Sequence, residues 1–150
     1  MNRIVVIICL IAAVSLAACG SPEQDTSGES PSPSPASSEL LAEGQFVNKG
    51  GQQTSGTYRL ERVGEYRRLL LENDFQTNDG PDLHVVLSPT PVADAGNDNV
   101  MDEAAIIDSV SALQGKQVYY LADSLQVEDY QSVLIHCVEF SHLYGAAALQ

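Results

Sequence analysis

The chain has 150 residues, of which 20 are acidic and 7 are basic, so its formal net charge is −13. This balance argues against a nucleic-acid-binding protein, which needs a basic surface to meet phosphates. Three cysteines are too few for a dense disulfide scaffold, and a hydrophobic content of 44% argues against wholesale disorder.

The amino-terminal segment is typical of a secretory signal. Arg3 precedes an apolar run over residues 4–14, which is shorter than the roughly 20 apolar residues of a membrane-spanning helix. Residues 16–20 (LAACG) then resemble the bacterial lipobox, in which Cys19 becomes the lipidated first residue of the mature protein. We therefore predict a signal peptide over residues 1–18 and a lipid anchor on the extracytoplasmic side of a bacterial membrane. The alternative is an ordinary secretory signal with an incidental cysteine.

A linker follows the signal. Residues 20–38 are rich in serine and proline and contain no large apolar side chain, so they cannot form a core. The SPSPSP repeat at residues 30–35 favours extended polyproline II structure. We predict that residues 19–42 comprise the lipidated cysteine and a disordered linker.

Residues 43–150 are predicted to form one folded domain of the all-β class. Short runs that alternate or are continuously apolar indicate strands at residues 57–61, 66–71, 84–88, 117–121, 132–138 and 140–144. The Val63-Gly64-Glu65 segment separates the first two of these as a hairpin turn. Residues 102–113 have the only helical periodicity in this part. Such a series predicts an antiparallel β-sandwich or a small barrel.

Two longer stretches carry a more specific signal. Residues 69–88 contain an aromatic residue followed by a GPDL motif at residues 80–83 and then a strand. Residues 130–140 (YQSVLIHCVEF) end a strand on a cysteine, with a phenylalanine three residues later. Together with the SGT motif at residues 55–57, this order and spacing resemble the DM-thirteen domain, also called the electron-transfer DM domain.

The resemblance implies a secreted or surface-anchored domain with a role in electron transfer. It also implies a redox role for the cysteine that corresponds to Cys137, either as a bare thiol or as a ligand to a prosthetic group such as haem. Family members often carry a histidine shortly before the SGT motif. This chain has GGQQT at residues 50–54 instead, which weakens a cofactor role for that position.

Cys137 has two interpretations from the residues themselves. Cys9 is removed with the predicted signal and Cys19 is lipidated, so Cys137 is left as a single thiol without a disulfide partner. It is therefore a candidate redox residue. Because side chains alternate along a strand, Cys137 shares a face with Val133 and Ile135, and the other interpretation is a buried cysteine that acts as a small hydrophobe.

The histidines are the other candidates. His84 and His142 are candidate cofactor ligands, with haem as the possible cofactor. Any haem would be bound non-covalently, since the chain has no C-x-x-C-H motif. His136 adjoins Cys137 and points to the opposite face of the strand. No close pair of cysteines or histidines has zinc-site spacing, so no metal site is predicted.

Two functions remain at this stage. The first is a redox or electron-transfer accessory module that is anchored at the cell envelope, works with a redox protein partner and uses Cys137. The second is a non-catalytic binding or assembly module with a structurally buried cysteine. No motif of a classical enzyme is present in the sequence.

Overall fold

The computed structural model of the protein describes residues 37–150. The predicted signal peptide, Cys19 and most of the predicted linker lie outside the described residues. The strands of the described part are β1 (Ser38–Gln45), β2 (Val47–Asn48), β3 (Thr54–Ser55), β4 (Thr57–Val63), β5 (Tyr66–Leu71), β6 (Gln76–Thr77), β7 (Leu83–Ser88), β8 (Ala105–Ser109), β9 (Gln117–Leu121), β10 (Ser132–Cys137) and β11 (His142–Ala148). A single 3-10 turn covers Val127–Asp129, and no helix in this part is long and apolar enough to cross a membrane.

The strands form two large antiparallel sheets. The four-stranded sheet has the order β1-β4-β5-β9, and the five-stranded sheet has the order β2-β11-β10-β7-β8. The main core takes buried side chains from both sheets, for example Leu60 and Leu69 from one and Val85 and Ile135 from the other. The predicted β-sandwich is thus confirmed, and the sheets of the described residues do not close into a barrel.

The five-stranded sheet is buried on both faces near its centre. Val85 and Ile135 face the main core, whereas Val86 and Leu134 belong to a second cluster on the opposite face. Val100 and its neighbours, in the segment that links β7 to β8, cover this second cluster. Burial on both faces explains why β7 and β10 read as continuous apolar runs rather than as alternating strands.

Residues 102–113, which carry the only helical periodicity of this part, form no helix. Ala105–Ser109 form strand β8, which pairs with β7 at the edge of the five-stranded sheet. β-branched Ile106 and Ile107 favour a strand, and Ile107 also packs against the main core. Tertiary pairing with β7 therefore outweighs the weak helical period of this segment.

The six strands predicted from the sequence are present as β4, β5, β7, β9, β10 and β11, each within a few residues of its predicted bounds, whereas β1, β2, β3 and β6 were not predicted. Gly64 and Glu65 form the hairpin turn between β4 and β5, as expected. The segment predicted at residues 140–144 starts later, at His142, and runs back along β10 as strand β11. Residues 38–42, which the sequence analysis placed in the linker, form the first part of β1 and pair with β4.

Candidate functional site

Cys137 is the last residue of β10 and the only free cysteine among the described residues. It lies opposite Leu83 of β7 and His142 of β11. Its side chain has no solvent exposure and belongs to the main core together with Ile135. The shared face that the alternation predicted is therefore present, and the thiol is enclosed by apolar neighbours.

The GPDL turn closes the end of the sandwich next to Cys137. The Val138 N–H donates a hydrogen bond of 3.0 Å to the carbonyl oxygen of Asp82. A Cβ atom on Gly80 would lie 2.7 Å from the Tyr144 hydroxyl, so a side chain at this position would displace Tyr144. The motif thus has a packing role, since its glycine lets the turn approach an aromatic side chain of β11.

Tyr144 completes the surroundings of the thiol. Its hydroxyl donates a hydrogen bond of 3.3 Å to the carbonyl oxygen of Asp79. Burial raises the pKa of the Tyr144 phenol above its usual value, and Cys137 and Asp79 raise it further. The Tyr144 phenol therefore stays protonated at neutral pH and acts as a hydrogen-bond donor to the turn.

The exposed segment nearest to Cys137 along the chain is the turn that joins β10 to β11. Phe140, three residues after Cys137, is 67% exposed in this turn. The following residue, Ser141, has a φ of 49° and redirects the chain into β11. An exposed aromatic side chain therefore lies a short distance along the chain from the buried sulfur.

His84 and His136 lie directly opposite each other on β7 and β10. The Nε2 atom of His84 lies 2.8 Å from a carboxylate oxygen of Asp82. The Nδ1 atom of His84 and both ring nitrogens of His136 are buried and have no hydrogen-bond partner among residues 37–150. Burial lowers the pKa of His136 below its usual value, and His142 and His84 lower it further, so its imidazole is neutral.

His142 is engaged on both sides of its ring. Asn97 accepts a 2.8 Å hydrogen bond from the Leu143 N–H through its side-chain oxygen, so its amide nitrogen faces His142 Nδ1 at 3.3 Å. His142 Nδ1 therefore accepts a hydrogen bond from Asn97, and its Nε2–H donates a hydrogen bond of 2.9 Å to the Gly50 carbonyl oxygen. His142 thus ties two loops to the start of β11.

The residues considered for haem do not fit that group. Cys137 is enclosed in the main core, His142 uses both nitrogens in hydrogen bonds, and His84 faces away from Cys137 across the sheet. The cleft beside the GPDL turn, about 260 Å³ in volume, is lined by none of the three. The structure instead brings His84 together with His136, a pairing that depends on the register of β7 and β10 and that the sequence analysis did not predict.

The comparisons with known proteins give one match. A family model described as "Electron transfer DM13" matches residues 45–149, which is well over half of the chain. The matched range contains the GPDL turn, Cys137 and all three histidines. No curated protein and no solved structure matches the chain.

Proposed function

Because the chain belongs to the electron-transfer DM13 family, we propose that it is a lipid-anchored electron-transfer module of the cell envelope that acts through Cys137. The family match confirms the resemblance carried by the GPDL motif and by residues 130–140. The observation that carries the finer proposal is the position of Cys137. It is the only free cysteine of the described residues and ends a central strand next to an exposed turn.

The turn after Cys137 supports the proposal of a redox protein partner. An aromatic side chain that is largely exposed, such as Phe140, is a typical anchor in protein interfaces. The chain carries a formal charge of −13, so a partner with a basic contact surface is favoured by charge complementarity. The proposed docking end therefore combines an aromatic anchor with the shortest route along the chain to Cys137.

Electrochemistry tests the role of Cys137. The test protein begins at residue 20, which removes the proposed lipidation site and keeps residues 37–150 with both sheets and their shared core. On an electrode, the Cys137 thiol of the unmodified chain is expected to give up one electron to the electrode and its proton to the buffer, and Cys137→Ala is expected to lack this redox wave. The matched control is Cys137→Ala/Ser124→Cys, which restores a thiol at an exposed position. A wave that persists in Cys137→Ala, or that the control restores at the same potential, would contradict a specific role for Cys137.

The alternative is a binding or assembly module in which Cys137 is structural. The complete burial of the sulfur in the main core favours this function. In that case Cys137→Val keeps both the electrochemical response and the stability of the parent chain. The same electrode experiment therefore separates the two functions.

The lipid anchor is tested on the full-length chain. In a bacterial host that processes lipoproteins, the unmodified chain is expected to incorporate radiolabelled palmitate and to partition into the detergent phase of Triton X-114. Cys19→Ala removes the proposed acyl acceptor, so it is expected to lose the label. Label that remains on Cys19→Ala would contradict lipidation at this residue.

A further inference from the structure

The pair formed by His84 and His136 lies on the face of the five-stranded sheet opposite to Cys137. Directly opposed residues share a face, and Val86 and Leu134, two positions along each strand, belong to the second cluster on that face. In such a pair the Cβ atoms are about 4.5–5.5 Å apart. The two imidazoles are therefore immediate neighbours and have no part in the surroundings of the thiol.

The protonation pattern of the pair leaves nitrogen lone pairs without partners. The Asp82 carboxylate accepts a hydrogen bond from the Nε2–H of His84, with 2.8 Å between nitrogen and oxygen, so the other ring nitrogen of this tautomer, Nδ1, carries a lone pair. That Nδ1 atom and both ring nitrogens of His136 are buried without hydrogen bonds to residues 37–150. His136 is only 1% exposed, and a buried polar side chain without a partner is costly. The arrangement points to a ligand that accepts electron pairs from imidazole.

We propose that His84 and His136 bind one cuprous ion, through Nδ1 of His84 and one ring nitrogen of His136. Metal–imidazole bonds are about 2 Å long, so an ion bound in a line between two imidazole nitrogens holds them about 4 Å apart. Two side chains that lie directly opposite each other on neighbouring strands can reach this separation. Asp82 then acts as an outer partner that orients the ring of His84 and balances the positive charge. Binding needs no change in oxidation state and does not rest on the proposed function of Cys137.

The number of ligands favours monovalent copper over zinc. Within residues 37–150 no group of three or more His, Cys, Asp or Glu side chains is arranged to hold a metal ion. Zinc prefers four ligands in a tetrahedron, whereas cuprous copper accepts two nitrogens in a line. Imidazole is among the ligands that suit copper, and a single positive charge is less costly to bury than two. His84, whose side chain is 18% exposed, provides the entry from solvent.

The test is an anaerobic competition for cuprous copper. The protein begins at residue 20 and carries Cys137→Ala throughout, so no thiol takes part in copper binding. Increasing amounts of protein are added to the coloured copper–bicinchoninate complex. We expect this parent to withdraw one equivalent of copper, and we expect His84→Gln and His136→Leu to withdraw none. His142→Gln should still withdraw one equivalent, and Asp82→Asn should bind about 10–100-fold more weakly.

The His136→Leu variant also shows whether a loss of copper binding is caused by unfolding. Leucine fills a similar volume and removes two unpartnered nitrogens, so the metal-free variant is expected to unfold at the same temperature as its parent or at a higher one. Failure of the parent to withdraw copper would overturn the proposal. Equal withdrawal by His136→Leu, or an X-ray absorption spectrum of the bound ion that shows four ligands, would overturn it as well.

Discussion

Replacing Gly56 with alanine is expected to lower the free energy of unfolding by at least about 3 kcal/mol. Gly56 has a φ of 102°, a backbone conformation that residues with a side chain rarely adopt. A Cβ atom there would lie 2.4 Å from the Cα atom of Phe75 and 2.6 Å from the carbonyl oxygen of Asp74. These atoms are backbone, so the contact cannot be relieved by a rotation of a side chain. In the variant, the start of β4 must therefore move away from the backbone of Asp74 and Phe75.

Gly51→Ala is the matched control for this experiment. Gly51 also has a positive φ, of 77°, but a Cβ atom there would meet no atom within 4 Å. Its replacement therefore measures the backbone strain alone, which we expect to cost about 1 kcal/mol. Urea denaturation of both variants and the parent chain measures the difference. Equal losses for the two variants would show that the close approach of Gly56 to Phe75 does not matter.

The thiol of Cys137 is expected to react with a small alkylating reagent about 1000-fold more slowly in the folded chain than in urea. The side chain has no solvent exposure, so the reagent must wait for an opening that is rarely populated. An opening free energy near 5 kcal/mol, at the low end of domain stabilities, reduces the exposed fraction by at least this factor. Mass spectrometry of samples quenched over time measures both rates in the protein that begins at residue 20.

An exposed thiol provides the control for chemical reactivity. Ser124 is exposed, so Cys137→Ala/Ser124→Cys should react at nearly the same rate with and without urea. Fast reaction of Cys137 in the folded chain would contradict the burial of its side chain at this end of the sandwich. The expected protection has a functional meaning, because redox chemistry at this sulfur then requires the turns beside it to open, as on the docking of a partner.

Gly80→Ala tests which element controls this opening. The added methyl group displaces the Tyr144 hydroxyl, which lies at the far end of a side chain that can move. The global stability should therefore fall less than in Gly56→Ala, while labelling of Cys137 becomes faster. An unchanged labelling rate would mean that the GPDL turn does not limit access to the thiol.

Several features of this protein follow from the sequence alone. Period-two patterns placed the hairpin of β4 and β5, and a continuous apolar run marked β10. Alternation along one strand also placed Cys137 and His136 on opposite faces, and the motifs at residues 80–83 and 130–140 identified the family. These are local properties, because a side chain's direction in a strand depends only on its neighbours in the chain.

The tertiary structure decided what depends on distant residues. The alternation within β7 and within β10 does not say which residues of the two strands stand opposite each other, so the pairing of His84 with His136 needed the register. The roles of His142 and of β8 likewise come from partners far along the chain, namely Asn97, Gly50 and the edge of β7. The sequence alone determined that Cys137 lies in a strand of an all-β domain of this family. Long-range pairing and packing decided that the Cys137 thiol is buried and that His84 and His136 lie next to each other on the other face of the sheet.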